Sequence, residues 1–174
     1  MKNSALLIID MQLGNFTGSD PIYKGEELLD SVEQILLKFR SLGVPIIYIQ
    51  NMGTKGDPDE PGTQGWQIHQ AISPLDNEIT IQKTTPDSFN KTDLRKKLIS
   101  LNIDHLYIVG LQTEYCIDTT VRRAYSYDYR VTLIEDAHST WDSHDLKAIQ
   151  IIEHHNSVLG SCFAEKKKLN EINL

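Results

Sequence analysis

The chain reads VGLQTEYCIDTT over residues 109–120, directly after an apolar run with the pattern of a strand. The glycine marks a turn and a helical pattern follows, so Cys116 falls where a helix starts. The free N–H groups and partial positive charge of a helix N-terminus stabilise a thiolate. We therefore predict that Cys116 is a nucleophile, the alternative being a small buried apolar residue.

Apolar runs and amphipathic segments alternate along the chain. Runs that are apolar on both faces, as in parallel strands covered by helices, occur at residues 5–9, 44–49, 79–81, 106–109 and 131–134, with a weaker run at 158–163. Apolar residues spaced three and four apart predict helices at residues 28–39, 92–101, 116–127 and 143–154, with Thr92 and Ser143 as N-caps. This alternation predicts a three-layer α/β/α fold around a doubly wound parallel sheet.

Length and composition favour one domain over residues 1–174. The formal net charge of −7 argues against a nucleic-acid partner or an anionic membrane surface. Two cysteines form no disulfide framework and match no zinc motif, so we expect a reducing, cytoplasmic setting. No apolar run reaches the length of about 18 residues that a membrane-spanning helix needs.

Polar residues follow several of the predicted strands directly. Asp10, Asn51, Lys83 and Cys116 all fall near such strand ends. In an open parallel sheet, ligands bind beyond the carboxyl ends of the strands, so these residues predict the position of a site. The long segment at residues 51–75 is rich in glycine and proline, has little periodicity, and is predicted to be a functional loop.

A cysteine nucleophile needs a base for its proton and a cation to stabilise the thiolate. Asp10 suits the first role, because burial raises the pKa of a carboxyl group, and Lys83 suits the second while opposing that rise. Backbone N–H groups of the turn at residues 111–115 suit an oxyanion hole. The alternative is that Asp10 only caps a strand end and that Lys83 is a surface residue.

Four segments resemble, in chain order, motifs of the isochorismatase-like cysteine hydrolase family. They are LLIIDMQ at residues 6–12, QK at 82–83 followed by DSF at 87–89, the stretch at 109–120, and VTLIEDA at 131–137. The resemblance covers residues 5–160, and the stretch around the cysteine is its most specific part. It implies an isochorismatase-like hydrolase fold with six parallel strands in the order 3-2-1-4-5-6.

The resemblance also implies a catalytic triad, with Cys116 as nucleophile, Asp10 as general base and Lys83 as supporting cation. A cis peptide bond between Leu111 and Gln112 is implied in the turn that holds the oxyanion. In the implied strand order Lys83 ends a strand two places from Asp10, about 10 Å away. The lysine side chain has to close that distance.

No metal or organic cofactor is expected. Nicotinamidases of this family bind a metal through an Asp-x-His pair and a later histidine, but residues 50–53 read QNMG and supply neither ligand of the pair. The sequence around His69 is similar to that around the later histidine, but one histidine does not make a metal site. His69 is predicted to form hydrogen bonds in a loop or pocket. The first strand is not followed by a glycine fingerprint for dinucleotides.

A small substrate is expected to lie among side chains from the loops around the triad. The predicted pocket residues are Gln12, Phe16, Trp66, His69, Phe89 and Tyr115. A papain-like pairing of Cys116 with His138 is an alternative source of the base. A homo-oligomer is also expected, because family members commonly assemble and aromatic residues are enriched in interfaces; the aromatic residues considered are Tyr125, Tyr127, Tyr129 and Trp141.

These features predict a metal-independent cysteine hydrolase that cleaves a small carboxamide through a thioester on Cys116. True isochorismatases cleave a vinyl ether and lack the cysteine, so Cys116 favours an amide substrate. The alternatives are nicotinamidase-type or isochorismatase-type hydrolysis, an oxidoreductase or flavin binder on the same sheet topology, or a non-enzymatic small-molecule binder.

Overall fold

A parallel sheet of six strands forms the centre of the computed structural model, which describes residues 3–17 and 19–172. The strands are β1 (Ser4–Ile9), β2 (Ile46–Asn51), β3 (Ile79–Lys83), β4 (His105–Leu111), β5 (Arg130–Ser139) and β6 (Glu165–Lys167). They lie in the order β3-β2-β1-β4-β5-β6, and every neighbouring pair is parallel. The predicted fold class and strand order are confirmed.

Helices cover both faces of the sheet and bury β1 completely. The helices are α1 (Gly25–Ser41), α2 (Leu94–Ser100), α3 (Asp118–Ser126) and α4 (Ala148–Cys162). Because successive strand residues point to opposite faces, Leu6 and Ile8 pack in the core beneath α1, while Leu7 and Ile9 pack in the core beneath α2 and α3. Each fully buried aliphatic side chain contributes about 1.5–3 kcal/mol through the hydrophobic effect.

The C-terminal part differs from the prediction. Residues 158–163, predicted as a strand, form the end of α4 and the residue after it, and the sixth strand follows at Glu165–Lys167. The buried stripe of Ile152 and Leu159 keeps helical spacing through this stretch. The side chain of Lys166 in β6 packs over Gly160, where a Cβ would lie 2.5 Å from its atoms.

The start of α4 also lies later than predicted. The predicted N-cap Ser143 forms a turn with Leu146 instead, and the helix begins at Ala148. Asp142 supplies the side-chain acceptor at this end, since its Oδ1 accepts the Ala148 N–H at 2.8 Å.

Gly110 brings β4 against β1 at the edge of the sheet where the predicted site residues lie. Its φ is +118°, and a Cβ at this position would lie 2.1 Å from the carbonyl oxygen of Ile9. Only glycine tolerates both that backbone conformation and that approach. The residue after Ile9 is Asp10, so this close contact sets the spacing between Asp10 and the turn that follows β4.

Within the described ranges 3–17 and 19–172, none of the helices has the length and hydrophobicity needed to cross a bilayer.

Candidate active site

Asp10, Lys83 and Cys116 meet at the carboxyl edge of the sheet. Lys83 Nζ lies 2.6 Å from Asp10 Oδ2 and donates a hydrogen bond to Cys116 Sγ at 3.2 Å. Lys83 is the last residue of β3, so its side chain passes the end of β2 to reach Asp10, and the expected gap is closed. Asn51, which ends β2, accepts a longer contact of 3.5 Å from the same ammonium group.

The charges of this cluster are held out of water. Asp10 is 5% and Lys83 2% exposed. Burial raises the pKa of Asp10, and the opposing effect of Lys83 does not cancel that rise. Burial by itself would lower the pKa of Lys83, but Asp10 and Cys116 beside it raise the pKa above its ordinary value. The result is a charged lysine next to a carboxyl group that is more basic than usual.

Cys116 rests as a thiol. Burial, followed by the negative charge of Asp10, raises the pKa of the Cys116 thiol to about 12, and Lys83 offsets only part of this. Cys116 lies inside a π-helical turn, Thr113–Ile117, which runs directly into α3 at Asp118, so the cysteine lies near the start of this helical segment.

The segment from Leu111 to Ile117, here termed the nucleophile turn, carries Cys116. The peptide bond between Leu111 and Gln112 is cis, as the resemblance implied. Gln112 Nε2 donates to Thr140 Oγ1 at 3.0 Å and to Glu114 Oε1 at 3.1 Å, and Thr140 Oγ1 donates to the same Glu114 oxygen at 2.8 Å. These bonds attach the turn to the residue that follows β5.

A second set of contacts ties the loop after Lys83 to α3. The hydroxyl groups of Ser88 and Thr120, both fully buried, lie 2.8 Å apart. Asp87 Oδ2 accepts a hydrogen bond from Arg123 Nε at 2.9 Å. The sequence pattern pointed to residues 87–89 only through the resemblance, and nothing in it showed that their partners lie on α3.

Known protein families and solved structures share this architecture. A model of the isochorismatase domain matches residues 4–159. The chain belongs to the isochorismatase family. The crystal structure of an isochorismatase from Pseudomonas putida KT2440 aligns with a TM-score of 0.93 and 31% identity, over 98% of this chain and 90% of that chain.

Two relatives of this family member have names that state an activity. A streptothricin hydrolase of Streptomyces noursei is 33% identical over 138 residues, which are 79% of this chain and 50% of that protein. The chain thus spans about half the length of that relative. A ureidoacrylate amidohydrolase of Caulobacter segnis is 25% identical over 173 residues, with 78% of this chain and 72% of that protein covered.

In this isochorismatase-family protein Gln12 holds the loop that follows β2. Its Nε2 donates to the carbonyl groups of Asn51 and Trp66, both at 3.0 Å, and its Oε1 accepts the Asn51 N–H at 2.8 Å. Trp66 Nε1 donates to the same Asn51 carbonyl at 3.0 Å. The polar atoms of the predicted pocket residue Gln12 are therefore engaged by the backbone, and its role is to bind the loop beside Asp10.

The other predicted pocket residues lie in different surroundings. His69 Nδ1 accepts the Ala71 N–H at 3.3 Å, and its ring packs edge-on to Phe16 with the centroids 5.2 Å apart. Tyr115 is 54% exposed and precedes Cys116 in the chain. Phe89 does not form an open wall, because it is buried in the core, where its ring packs against the aromatic residues Tyr127 and Tyr129.

His138 bonds to the nucleophile turn and does not pair with Cys116. Its Nδ1 lies 2.9 Å from Thr113 Oγ1, and its Nε2 lies 2.9 Å from Asn156 Oδ1. Burial lowers the pKa of His138 to about 4, so the ring is neutral near neutral pH. Both nitrogens are already engaged, and the papain-like alternative has no geometric support.

Asn51 lies at the end of β2, in the stretch at residues 50–53 that lacks the Asp-x-His pair. Its Nδ2 donates to Asp59 Oδ2 at 2.6 Å. Among the residues that the structure describes, no group of three or more His, Cys, Asp or Glu side chains is arranged to hold a metal ion. Independence from a metal remains a prediction.

Proposed function

We propose that this protein is a metal-independent cysteine hydrolase that cleaves the C–N bond of a small carboxamide through a thioester on Cys116. The observation that carries the proposal is the position of Lys83 Nζ, 2.6 Å from Asp10 Oδ2 and 3.2 Å from Cys116 Sγ. One cation thereby holds a base and a sulfur nucleophile together in a buried site.

Formation of the thioester begins from the thiol. As Sγ attacks the carbonyl carbon, the thiol proton passes to Asp10 and the carbonyl electron pair moves onto oxygen. Among the described residues Asp10 Oδ1 is buried without a hydrogen-bond partner, so it is free to take this proton while Oδ2 faces Lys83. Because the pKa of the Cys116 thiol is raised to about 12, proton transfer accompanies the attack.

Release of the products uses the same carboxyl group. The electron pair returns from oxygen, the C–N bond breaks, and Asp10 gives its proton to the departing nitrogen. Water then attacks the thioester carbon and yields a proton to Asp10. The C–S bond breaks, the proton returns to sulfur, and the carboxylic acid leaves. Lys83 stabilises the negative charge that develops on sulfur and on Asp10 in each half of the reaction.

The choice of an amide rests on Cys116 and on the names of the relatives. The amidohydrolase among them supports C–N cleavage over the vinyl ether cleavage of true isochorismatases, and the streptothricin hydrolase supports hydrolysis in general. A nicotinamidase-type activity with a bound metal is less well supported, because residues 50–53 supply neither ligand of the Asp-x-His pair and Asn51 is hydrogen-bonded to Asp59. A non-enzymatic binder would not need a carboxyl group and an ammonium buried against a thiol.

A screen of small primary carboxamides for ammonia release tests the proposal. The wild-type protein, prepared with and without chelator, should release ammonia from at least one amide. Cys116→Ala should lose this activity, while Cys162→Ala, which removes the exposed cysteine, should retain it. Full activity in Cys116→Ala, or loss of activity on chelation, would overturn the proposal.

A further inference from the structure

A line of buried hydrogen bonds joins α4 to the nucleophile turn through β5. His138 Nδ1 lies 2.9 Å from the Thr113 hydroxyl, and His138 Nε2 lies 2.9 Å from Asn156 Oδ1. Asn156 Nδ2 donates to the Glu135 carbonyl at 3.0 Å. The three side-chain partners are withdrawn from solvent, since Thr113 is 0%, His138 4% and Asn156 9% exposed.

The donor and the acceptor of each hydrogen bond follow from the last acceptor in this series, the Glu135 carbonyl. The Glu135 carbonyl can only accept, so Asn156 turns its Nδ2 toward it and its Oδ1 toward His138. Oδ1 can only accept, so Nε2 of His138 carries the proton. Burial lowers the pKa of His138 to about 4, which leaves Nδ1 unprotonated near neutral pH. The Thr113 hydroxyl therefore donates to Nδ1.

We propose that His138 is a positioning residue of this enzyme: held as the Nε2–H tautomer by Asn156, it accepts the hydrogen bond of Thr113 and fixes the nucleophile turn. The proposal rests on the hydrolase function proposed above. His138 acts through Thr113 and has no acid–base role, because both of its ring nitrogens are engaged away from Cys116.

The position of Thr113 gives this bond its importance. Thr113 follows the cis-linked pair Leu111 and Gln112 and precedes Cys116 by three residues. The hydrogen bond between the Thr113 side chain and His138 attaches the nucleophile turn to β5. A shift of the turn moves Sγ and the backbone N–H groups together relative to a bound carbonyl, and a misplacement of about 1 Å lowers a rate about 10²-fold.

Thr113→Val tests the proposal, because it removes the hydroxyl and keeps the shape. The chain offers a matched control in Thr132, which is equally buried and whose hydroxyl lies 2.8 Å from His105 Nε2. Thr132→Val removes a threonine–histidine bond from the part of β5 remote from the site. We expect Thr113→Val to lower kcat about 10- to 100-fold with little change in KM. Thr113→Ser should restore kcat, and Thr132→Val should leave it unchanged.

Two measurements decide the proposal without a substrate. Backbone hydrogen exchange in the nucleophile turn should be faster in Thr113→Val than in wild type and unchanged in Thr132→Val. Ring ¹⁵N NMR of the wild-type protein at neutral pH should show His138 protonated on Nε2 alone. An Nδ1-protonated ring, or equal exchange in the turn of both valine variants, would overturn the proposal, even if Thr113→Val were too unstable for kinetics.

A failure of the proposed function has a different signature. If the wild-type protein hydrolyses no carboxamide, the hydrolase function fails, while hydrogen exchange and the NMR tautomer still decide whether His138 fixes the turn. If wild type is active and Thr113→Val matches it in kcat, the function stands and the positioning role is wrong.

Discussion

At the scale of single residues, burial decides the protonation state of the site. Lys83 lies close to both Asp10 and Cys116, yet the pKa of Cys116 is raised to about 12 and that of Asp10 is also raised. In each case the loss of water outweighs the favourable charge of Lys83. The resting site therefore holds a thiol beside a basic carboxyl group, and in the proposed mechanism a reactive sulfur arises when the proton moves to Asp10.

The ion pair makes a prediction for stability. Lys83→Met leaves Asp10 buried without its cation and should lower the free energy of unfolding by about 3–5 kcal/mol near neutral pH. The substitution raises the pKa of Asp10 further above its unfolded value, so the folded state binds the proton more tightly than the unfolded chain. Compared with wild type, Lys83→Met should therefore lose more stability as the pH rises through the folded-state pKa of Asp10. The difference should vanish below about pH 4, where Asp10 is protonated in both the folded and the unfolded chain.

Urea unfolding at several pH values measures this effect. Lys96→Met is the control, since Lys96 forms an exposed pair with Asp93 and its loss should leave stability nearly unchanged. A Lys83→Met protein whose stability follows wild type at every pH would show that Asp10 does not depend on Lys83.

At the scale of elements, the sheet is held at the site by a backbone contact that only glycine permits. We expect Gly110→Ala to destabilise the fold more than Gly43→Ala, by melting temperature. Gly43, at a φ of +65°, lies in the left-handed helical region, where an alanine costs about 1–2 kcal/mol, whereas the φ of +118° at Gly110 lies outside that helical region. A Cβ on Gly110 would also meet the Ile9 carbonyl at 2.1 Å, whereas one on Gly43 would find no described atom within 4 Å. Equal losses would mean that β1 can move away from β4.

The central strands were predictable because they are apolar on both faces. The runs at residues 5–9 and 106–109 lie inside β1 and β4. The same criterion failed at residues 158–163, because a short apolar run fits either the buried side of a helix or a strand. Here Leu159 lies on the buried side of α4 and packs in the core. The true sixth strand reads EKK and has no apolar signal.

The site was predictable only in part, for a related reason. Parallel topology brings strand ends to one edge, so Asp10, Lys83 and Cys116 were found from their places after apolar runs and from the resemblance. The supporting bonds join residues far apart in sequence, such as Ser88 with Thr120 and His138 with Asn156. No local pattern contains such pairings, nor the depth of burial that sets the pKa of Cys116.

At the scale of the whole molecule, the loop after β2 closes over the end of β1. Gly14 N–H donates to the Gly65 carbonyl and Leu13 N–H to the Gln67 carbonyl, both at 2.8 Å. Together with the bonds of Gln12, these contacts hold the loop beside Asp10. The predicted functional loop thus has a definite position, and the site is built from several elements at one edge of the sheet.

Self-association of this protein into a homo-oligomer remains a proposal. Of the aromatic residues that motivated it, Tyr125 is 47% exposed, while Tyr129 is 8% exposed and packs against Phe89. Light scattering at micromolar concentration should give a multiple of the chain mass of 19.8 kDa, and Tyr125→Ser should lower the association. A monomer mass at all concentrations would contradict this.

The central claim is that Asp10 and Lys83 control the thiol of Cys116. The measurement that tests it most directly is iodoacetamide labelling of Cys116 against pH, in a Cys162→Ala background. Wild type should label slowly at neutral pH, and the rate should still rise without a plateau between about pH 7 and 10, because the thiolate is rare there. Asp10→Asn removes a negative charge and should shift the curve to lower pH, while Lys83→Met removes a positive charge and should shift it to higher pH. A plateau already reached at neutral pH, or a curve that neither substitution moves, would contradict the account.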